Sequence, residues 1–164
     1  MAYLIPLRAN DQSIRAYTVV DEVDFRRFGN KRWFLTGHHY AACSFHNGIR
    51  EEQPRLHREI LGLKRGDGLE ADHINGNKLD NRKSNLRIVS HSQNNQNRSI
   101  NCDNTSGYRG VSWSSEKQEW RAAIRRKDRY IHLGFYTDVH EAGRVASEWR
   151  AQHMPFSLDA QKEI

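Results

Sequence analysis

Asp72 and His73 stand side by side ahead of the Asn- and Gly-rich stretch from Ile74 to Asn81, and Asn85, His91 and Asn94 follow. An imidazole with an ordinary pKa of about 6.5 is a competent general base at neutral pH, and water that it deprotonates can attack phosphorus. A phosphodiester also needs the charge that builds on its oxygens and leaving group to be neutralised. A hard divalent cation held by oxygen ligands does this. Asp72 and the amide oxygen of Asn94 are ligands of that kind, and a site with few protein ligands leaves coordination positions for water and phosphate. Spacing excludes an EF-hand, because counting from Asp72 the third loop position is Ile74 and the glycine comes at the fifth. Taken alone, Asp72-His73 reads more readily as a strand-end cap and a surface histidine, and the loop as an ordinary turn.

The elements that must position these residues are legible around them. Leu69 to Asp72 reads as a strand, Asn75 to Asn81 as a loop, Leu86 to Val89 as a second strand, and Ser92 to Arg98 as a polar helix capped by Ser90. Side chains alternate along a strand, so Asp72 and His73 reach one site only if the backbone turns there; Asn75-Gly76 supplies the turn. Upstream, Leu56, Ile60, Leu61 and Leu63 after Pro54 describe a short amphipathic helix that Gly62 or Gly66 ends. The first fifty residues read as a small mixed unit. It has a strand at Tyr17 to Val20, a short helix through Asp24 to Phe28 capped by Asp21 and stopped at Gly29-Asn30, and strands at Trp33 to Leu35 and Tyr40 to Cys43.

Asn101 to Gly107 has linker composition. Beyond it, Tyr108 to Trp113, Glu119 to Arg126 and Arg129 to Phe135 read as three antiparallel strands joined by short turns. Thr137 or Asp138 caps a helix from Val139 to His153, with Ala142, Val145, Ala146 and Trp149 on the face that covers the sheet. Alternation sends Trp120, Ala122 and Ile124 to one face of the middle strand and Arg121, Ala123 and Arg125 to the other. With Arg109 these arginines form a basic stripe, and arginine pairs bidentately with guanine or phosphate.

Composition bounds the reading. The chain has 164 residues, a formal net charge of +6, 37% hydrophobic residues and four tryptophans. That is too aromatic for a disordered chain and too short for one large core, so small folded units are expected. The opening MAYLIPLRANDQ is broken by Pro6 and Arg8, and no stretch has the run of about 18 apolar residues that would span a membrane. Cys43 and Cys102, far apart and in no CxxC pair, build neither a disulfide framework nor a zinc site, which fits a reducing interior.

The segment LHREILGL followed by LEADHINGNKLDNRKSNLRIVSHSQNNQNR closely resembles the HNH nucleases of the phage homing-endonuclease type, over about residues 51 to 100. The resemblance implies a ββα-metal core in which the histidine is the general base, the central asparagine braces its loop, and a last His or Asn together with the acidic residue before the base holds one divalent metal ion. Those roles fall on His73, Asn85, Asn94 and Asp72. The final letter of the family pattern is here Asn94. His91, one helical turn earlier, is the rival ligand, and an amide oxygen suits a hard magnesium-like ion better than imidazole does. His57, in the LHR element, is expected to be structural. Arg82, Lys83 and Arg87 are near enough in sequence to line a phosphate track, and equally fit solvated loop charges.

The C-terminal segment, through Tyr108-Arg109-Gly110-Val111, Trp120, Ala122, Ile124, Leu133-Gly134-Phe135 and Glu141-Ala142, resembles the APETALA2-type DNA-binding domain. That resemblance implies a sheet entering the DNA major groove, with Arg109, Gly110, Trp113, Trp120, Arg121, Arg125 and Lys127 at the DNA surface. The family uses the Trp120 position against DNA, whereas alternation turns Trp120 inward; strand twist or a bulge would reconcile the two.

The expected fold class is therefore α+β, a ββα-metal HNH nuclease core followed by a three-stranded antiparallel sheet packed on one helix. The expected divisions are 1–50, 51–100, a linker at 101–107, and 108–164. The expected function is a metal-dependent DNA endonuclease using magnesium, or manganese in its place. It would act on double-stranded DNA as a cytoplasmic monomer in a bacterial host cell, with neither membrane nor small-molecule partner. The competing class is a non-catalytic sequence-specific DNA-binding regulator, with an RNA-binding protein as a further alternative.

Overall fold

Tyr3, Ile5 and Leu7 alternate with outward-facing Leu4 and Pro6, and this period-two pattern builds a strand, β1 (Ala2–Arg8), antiparallel to β2 (Ile14–Asp21). Pro6, which seemed to break the run, is accommodated because both strands of a two-stranded sheet are edges, where a missing donor need cost no ladder bond. The computed structural model describes residues 1–46, 51–98, 100–126 and 129–161. The chain divides into two compact units, Met1–His91 and Ser92–Ile164.

In the first unit β2 runs into helix α1 (Glu22–Phe28). Asp21 precedes the helix but makes no side-chain cap; its Oδ2 instead accepts from the backbone N–H of Lys83 at 2.8 Å. Two short antiparallel pairs follow: β3 (Phe34–Leu35) with β4 (Ala41–Ala42), and β5 (Phe45–His46) with β6 (Glu51–Glu52). Helix α2 (Leu56–Leu61) ends at Gly62, and β7 (Leu69–His73) pairs antiparallel with β8 (Leu86–Ser90) in a register that sets Asp72 opposite Arg87 and His73 opposite Leu86. Ile5, Leu7, Val20, Phe28 and Trp33 share one buried core with Leu56, Ile60 and Leu86. Residue 50 is therefore not a boundary between compact units.

Helix α3 (His91–Asn94) passes into a 3₁₀ turn at Asn95–Asn97, shorter than the helix expected over 92–98. A run of Asn, Ser and Gln offers the backbone competing hydrogen bonds and little helix propensity.

In the second unit β9 (Val111–Ser114), β10 (Glu119–Arg126) and β11 (Arg129–Tyr136) form an antiparallel sheet with β10 central, and α4 (Val139–His153) packs on it. Asp138 caps α4 by accepting from His140 N–H at 3.0 Å. Val111, Ala122, Ile124, Ala142, Ala146 and Met154 make the core. The first strand begins at Val111 rather than Tyr108 because Gly110 turns the chain at φ 80°; a Cβ there would lie 2.7 Å from the Ala123 carbonyl oxygen. A bulge between Ala122 and Ala123 leaves Leu133 unpaired in β11. Among the described residues no helix is long and apolar enough to cross a membrane.

Candidate active site

The loop between β7 and β8 is held by side chains acting on backbone. Gly76, at φ 74°, closes the turn after His73, its N–H donating to the His73 carbonyl at 2.9 Å. Asn75 Oδ1 then accepts from Asn77 N–H at 2.8 Å, and Asn77 Oδ1 from Leu79 N–H at 3.0 Å. These are two successive Asx turns. Asn85 spans the loop: its Oδ1 accepts from Asn75 N–H at 3.0 Å, its Nδ2 donates to the Asp80 carbonyl at 2.7 Å, and its own carbonyl accepts from Ile74 N–H at 2.8 Å. Asp80, buried, takes a bidentate pair from Arg82 at 2.8 and 2.6 Å, which outweighs its burial and lowers its pKa.

Asp72 and His73 are both buried at the end of β7. Asp72 Oδ2 accepts from Arg87 Nε at 2.8 Å and lies 2.7 Å from a terminal nitrogen of the same guanidinium. His73 Nε2 is 3.0 Å from Asn81 Oδ1. Burial lowers the His73 pKa, while the Asn81 hydrogen bond and the charges of Asp72 and Asp80 work in the opposite direction. The net shift favours the neutral ring, the state a base requires. His57 packs edge-on against it with ring centroids 4.9 Å apart, and Tyr40 lies 5.0 Å from His57 and 6.1 Å from His73. Arg55 and Lys78 sit over the Tyr40 ring at 4.7 and 4.8 Å. Burial, with His73 and Arg55 nearby, pushes the His57 pKa down to about 3.

The charges read as a phosphate track are each engaged. Arg82 pairs with Asp80, Arg87 with Asp72, and Lys83 stands 3.7 Å from Asp24. His91, the rival ligand, is largely exposed with Nδ1 at 2.7 Å from Glu70. Asn94 belongs to the second compact unit. For a divalent ion the donor chemistry fits, since Asp72 offers a hard oxygen. Among the described residues no group of three or more His, Cys, Asp or Glu side chains could hold a metal. An ion here would depend on Asp72 together with amide and solvent oxygens.

Sequence reasoning did not single out Asn81, Thr18 or Tyr40. Asn81 lay inside the recognised loop, but Thr18 is 63 residues from it and nothing in the local pattern of β2 marks it.

On the second unit's sheet, strand pairing places Ser112, Arg121 and Phe135, then Ala123 with His132, then Arg125 with Tyr130 on the face away from α4. Arg121 and Arg125 are exposed, and Arg125 lies 5.8 Å over the Tyr130 ring. Trp120 faces the core and packs against it, with Trp113, 47% exposed, edge-on at 5.1 Å. Arg109 departs from the expected stripe. It precedes β9, and its guanidinium donates to the carbonyls of Gln96 and Arg98 at 2.7 and 2.9 Å. Its own carbonyl accepts from buried Arg150, which also holds Asp159 at 2.6 Å. Burial raises the Asp159 pKa, but the hydrogen bonds from Arg150, Ser147 and Ser157 outweigh it and hold it at about 2. Lys127 lies outside the described residues.

Residues 55–96 match the HNH endonuclease family, a span that takes in α2, the β7–β8 hairpin with its loop, and α3. The middle of the chain is thus similar to a class of nucleases that acts on DNA and commonly uses a divalent metal ion. The chain is also similar to Protein 3.8 of Escherichia phage T7, at 36% identity over 74 residues, covering 43% of this chain and 61% of the phage protein. The match therefore spans less than two thirds of that relative's length. No solved structure matches the chain.

Proposed function

We propose that the protein is a metal-dependent HNH endonuclease of the homing type, hydrolysing phosphodiester bonds in double-stranded DNA at sites chosen partly by its C-terminal sheet. The observation that carries this reading is the buried Asp72-His73 pair at the mouth of a loop braced through Asn85, on the stretch that matches HNH endonucleases. His73 accepts a proton from the attacking water, and its burial keeps it neutral for that task. Asn85 keeps the loop in the shape that presents the ring. Asp72 and Asn94 would hold one divalent ion, magnesium or manganese, which when bound neutralises charge on the phosphate and leaving group. On this reading β7, β8 and α3 are the ββα-metal core.

The C-terminal unit is an APETALA2-type reader whose open face carries Arg121 and Arg125, with Ser112, His132 and Tyr130 beside them. Trp113 and Trp120 pair on the other, α4-facing side, where Trp113 is 47% exposed, and Gly110 and Arg109 shape the chain ahead of β9. Two exposed arginines on a sheet left uncovered by its one helix support this assignment. Tethering to such a reader raises the local concentration of the nuclease at a target.

The alternative, a DNA-binding regulator with an inactive HNH segment, is favoured by one observation: Arg87 already neutralises Asp72. Incubating supercoiled plasmid that carries the DNA flanking the coding region with protein and Mg²⁺ or Mn²⁺ separates the two. The expected result is nicking or linearisation that chelation stops and His73→Ala abolishes with DNA binding retained. Binding without cleavage by the intact protein, or equal cleavage by His73→Ala, refutes the catalytic assignment.

A further inference from the structure

The N-terminal hairpin reaches the active-site loop directly. Val19 N–H donates to the Leu79 carbonyl and Asn81 N–H to the Val19 carbonyl, both at 2.8 Å, so β2 adds to the loop as a short parallel bridge. Thr18, next along β2, is fully buried beneath it, as is Asn81. Thr18 belongs to the stretch ahead of the HNH-matched residues.

The hydrogen bonds among these groups have only one consistent direction. The Leu79 carbonyl can only accept, so the Thr18 hydroxyl proton points to it, at 2.8 Å. The Thr18 oxygen is then an acceptor, and it takes the Asn81 Nδ2–H at 2.7 Å. A second acceptor, the Lys78 carbonyl, lies 3.5 Å from the same Nδ2 and fixes the amide the same way round. Asn81 must therefore turn its Oδ1 to the imidazole, 3.0 Å from His73 Nε2. An amide oxygen cannot donate, so the neutral ring carries its proton on Nε2 and its lone pair on Nδ1.

We propose that Thr18 and Asn81 are positioning residues that set the tautomer of His73 and make Nδ1 the atom that takes the proton from water. The first strands of the chain are thereby part of the catalytic apparatus. This inference rests on the reading of His73 as the general base. The relay acts at a distance from substrate: it neither touches DNA nor holds an ion, and its effect is to keep one ring nitrogen unprotonated and aimed.

Long-range proton–nitrogen correlation spectra of the ¹⁵N-labelled full chain, recorded without metal at neutral pH, read the tautomer directly. The wild type is expected to show His73 with its ring proton on Nε2 and none on Nδ1. Thr18→Ser keeps that pattern. Thr18→Val, equal in volume but without the hydroxyl, frees the amide to reverse and is expected to shift the ring toward the Nδ1–H form. Its plasmid nicking rate should fall about 10- to 100-fold. Leu79 O retains the Val19 N–H in that variant, which limits the structural loss. A wild-type ring protonated at Nδ1 overturns the proposal, whether or not the valine variant folds, and so does Thr18→Val with tautomer and rate unchanged. A wild type that cleaves no plasmid with any divalent ion overturns the nuclease reading instead, while the spectrum still decides the tautomer.

Discussion

Arg87 closes on a single oxygen of Asp72, with Nε and a terminal nitrogen at 2.8 and 2.7 Å from Oδ2 across the β7–β8 pair. The register that sets these residues opposite each other gives the carboxylate a positive partner within the protein itself.

Removing that partner should cost stability and create a greater demand for an outside cation. Arg87→Ala is expected to lose about 3 kcal/mol without metal, because it takes the cationic partner away from a buried carboxylate. Mg²⁺ should then raise the melting temperature of the variant more than that of the wild type. Equal shifts in the two proteins would show that Asp72 does not meet the ion.

Asn85→Ala deletes an acceptor for Asn75 N–H and a donor to the Asp80 carbonyl, both across the β7–β8 loop. Leaving such groups unpaired costs about 2 to 4 kcal/mol together. Denaturant titration gives the stability loss, and amide exchange should show it concentrated at Ile74 to Asn81. Uniform protection across that loop in the variant would contradict the bracing role.

Acid should destabilise the first unit through His57. Its folded pKa of about 3 lies below the ordinary 6.5, so as pH falls between these values the unfolded chain binds the extra proton. Stability from this group is complete above about 6.5 and falls by about 1.4 kcal/mol per pH unit toward 3. His73, lowered in the same direction, adds to the loss. His57→Phe is expected to flatten the profile of unfolding free energy against pH; a profile as steep as wild type would remove His57 as its source.

The sheet predicts two separable behaviours for arginine. Arg121→Ala and Arg125→Ala should each weaken DNA binding and reduce the slope of log affinity against log salt by about 1. Arg109→Ala, losing bonds to the Gln96 and Arg98 carbonyls, should lower the melting temperature and leave that slope unchanged. A reduced salt slope for Arg109→Ala would return it to the contact surface.

Local pattern carried much of this architecture. The alternation of Trp120 to Arg125 gave both faces of β10, and Asp138 announced the start of α4 where the structure has it. Asp72 and His73 at a strand end, before Asn75-Gly76, made a candidate site legible from a single stretch. Other features depended on contacts between distant residues. Pro6 disguised β1, whose partner and core contacts come from elsewhere in the chain, and no spacing rule links Thr18 to Asn81. Arg109 was expected within the first strand of the sheet, which starts three residues later than Tyr108, after a glycine turn.

The shared packing of Ile5, Leu7, Val20 and Trp33 with Leu56, Ile60 and Leu86 bears on how this gene can be rearranged. A recombination event that copied only codons 55 to 96 into a new host gene would deliver a fragment with most of its interior missing. An exchange that keeps this interior whole carries the first ninety or so codons as one cassette, whereas the sheet-and-helix portion that follows has an interior of its own and can be exchanged separately.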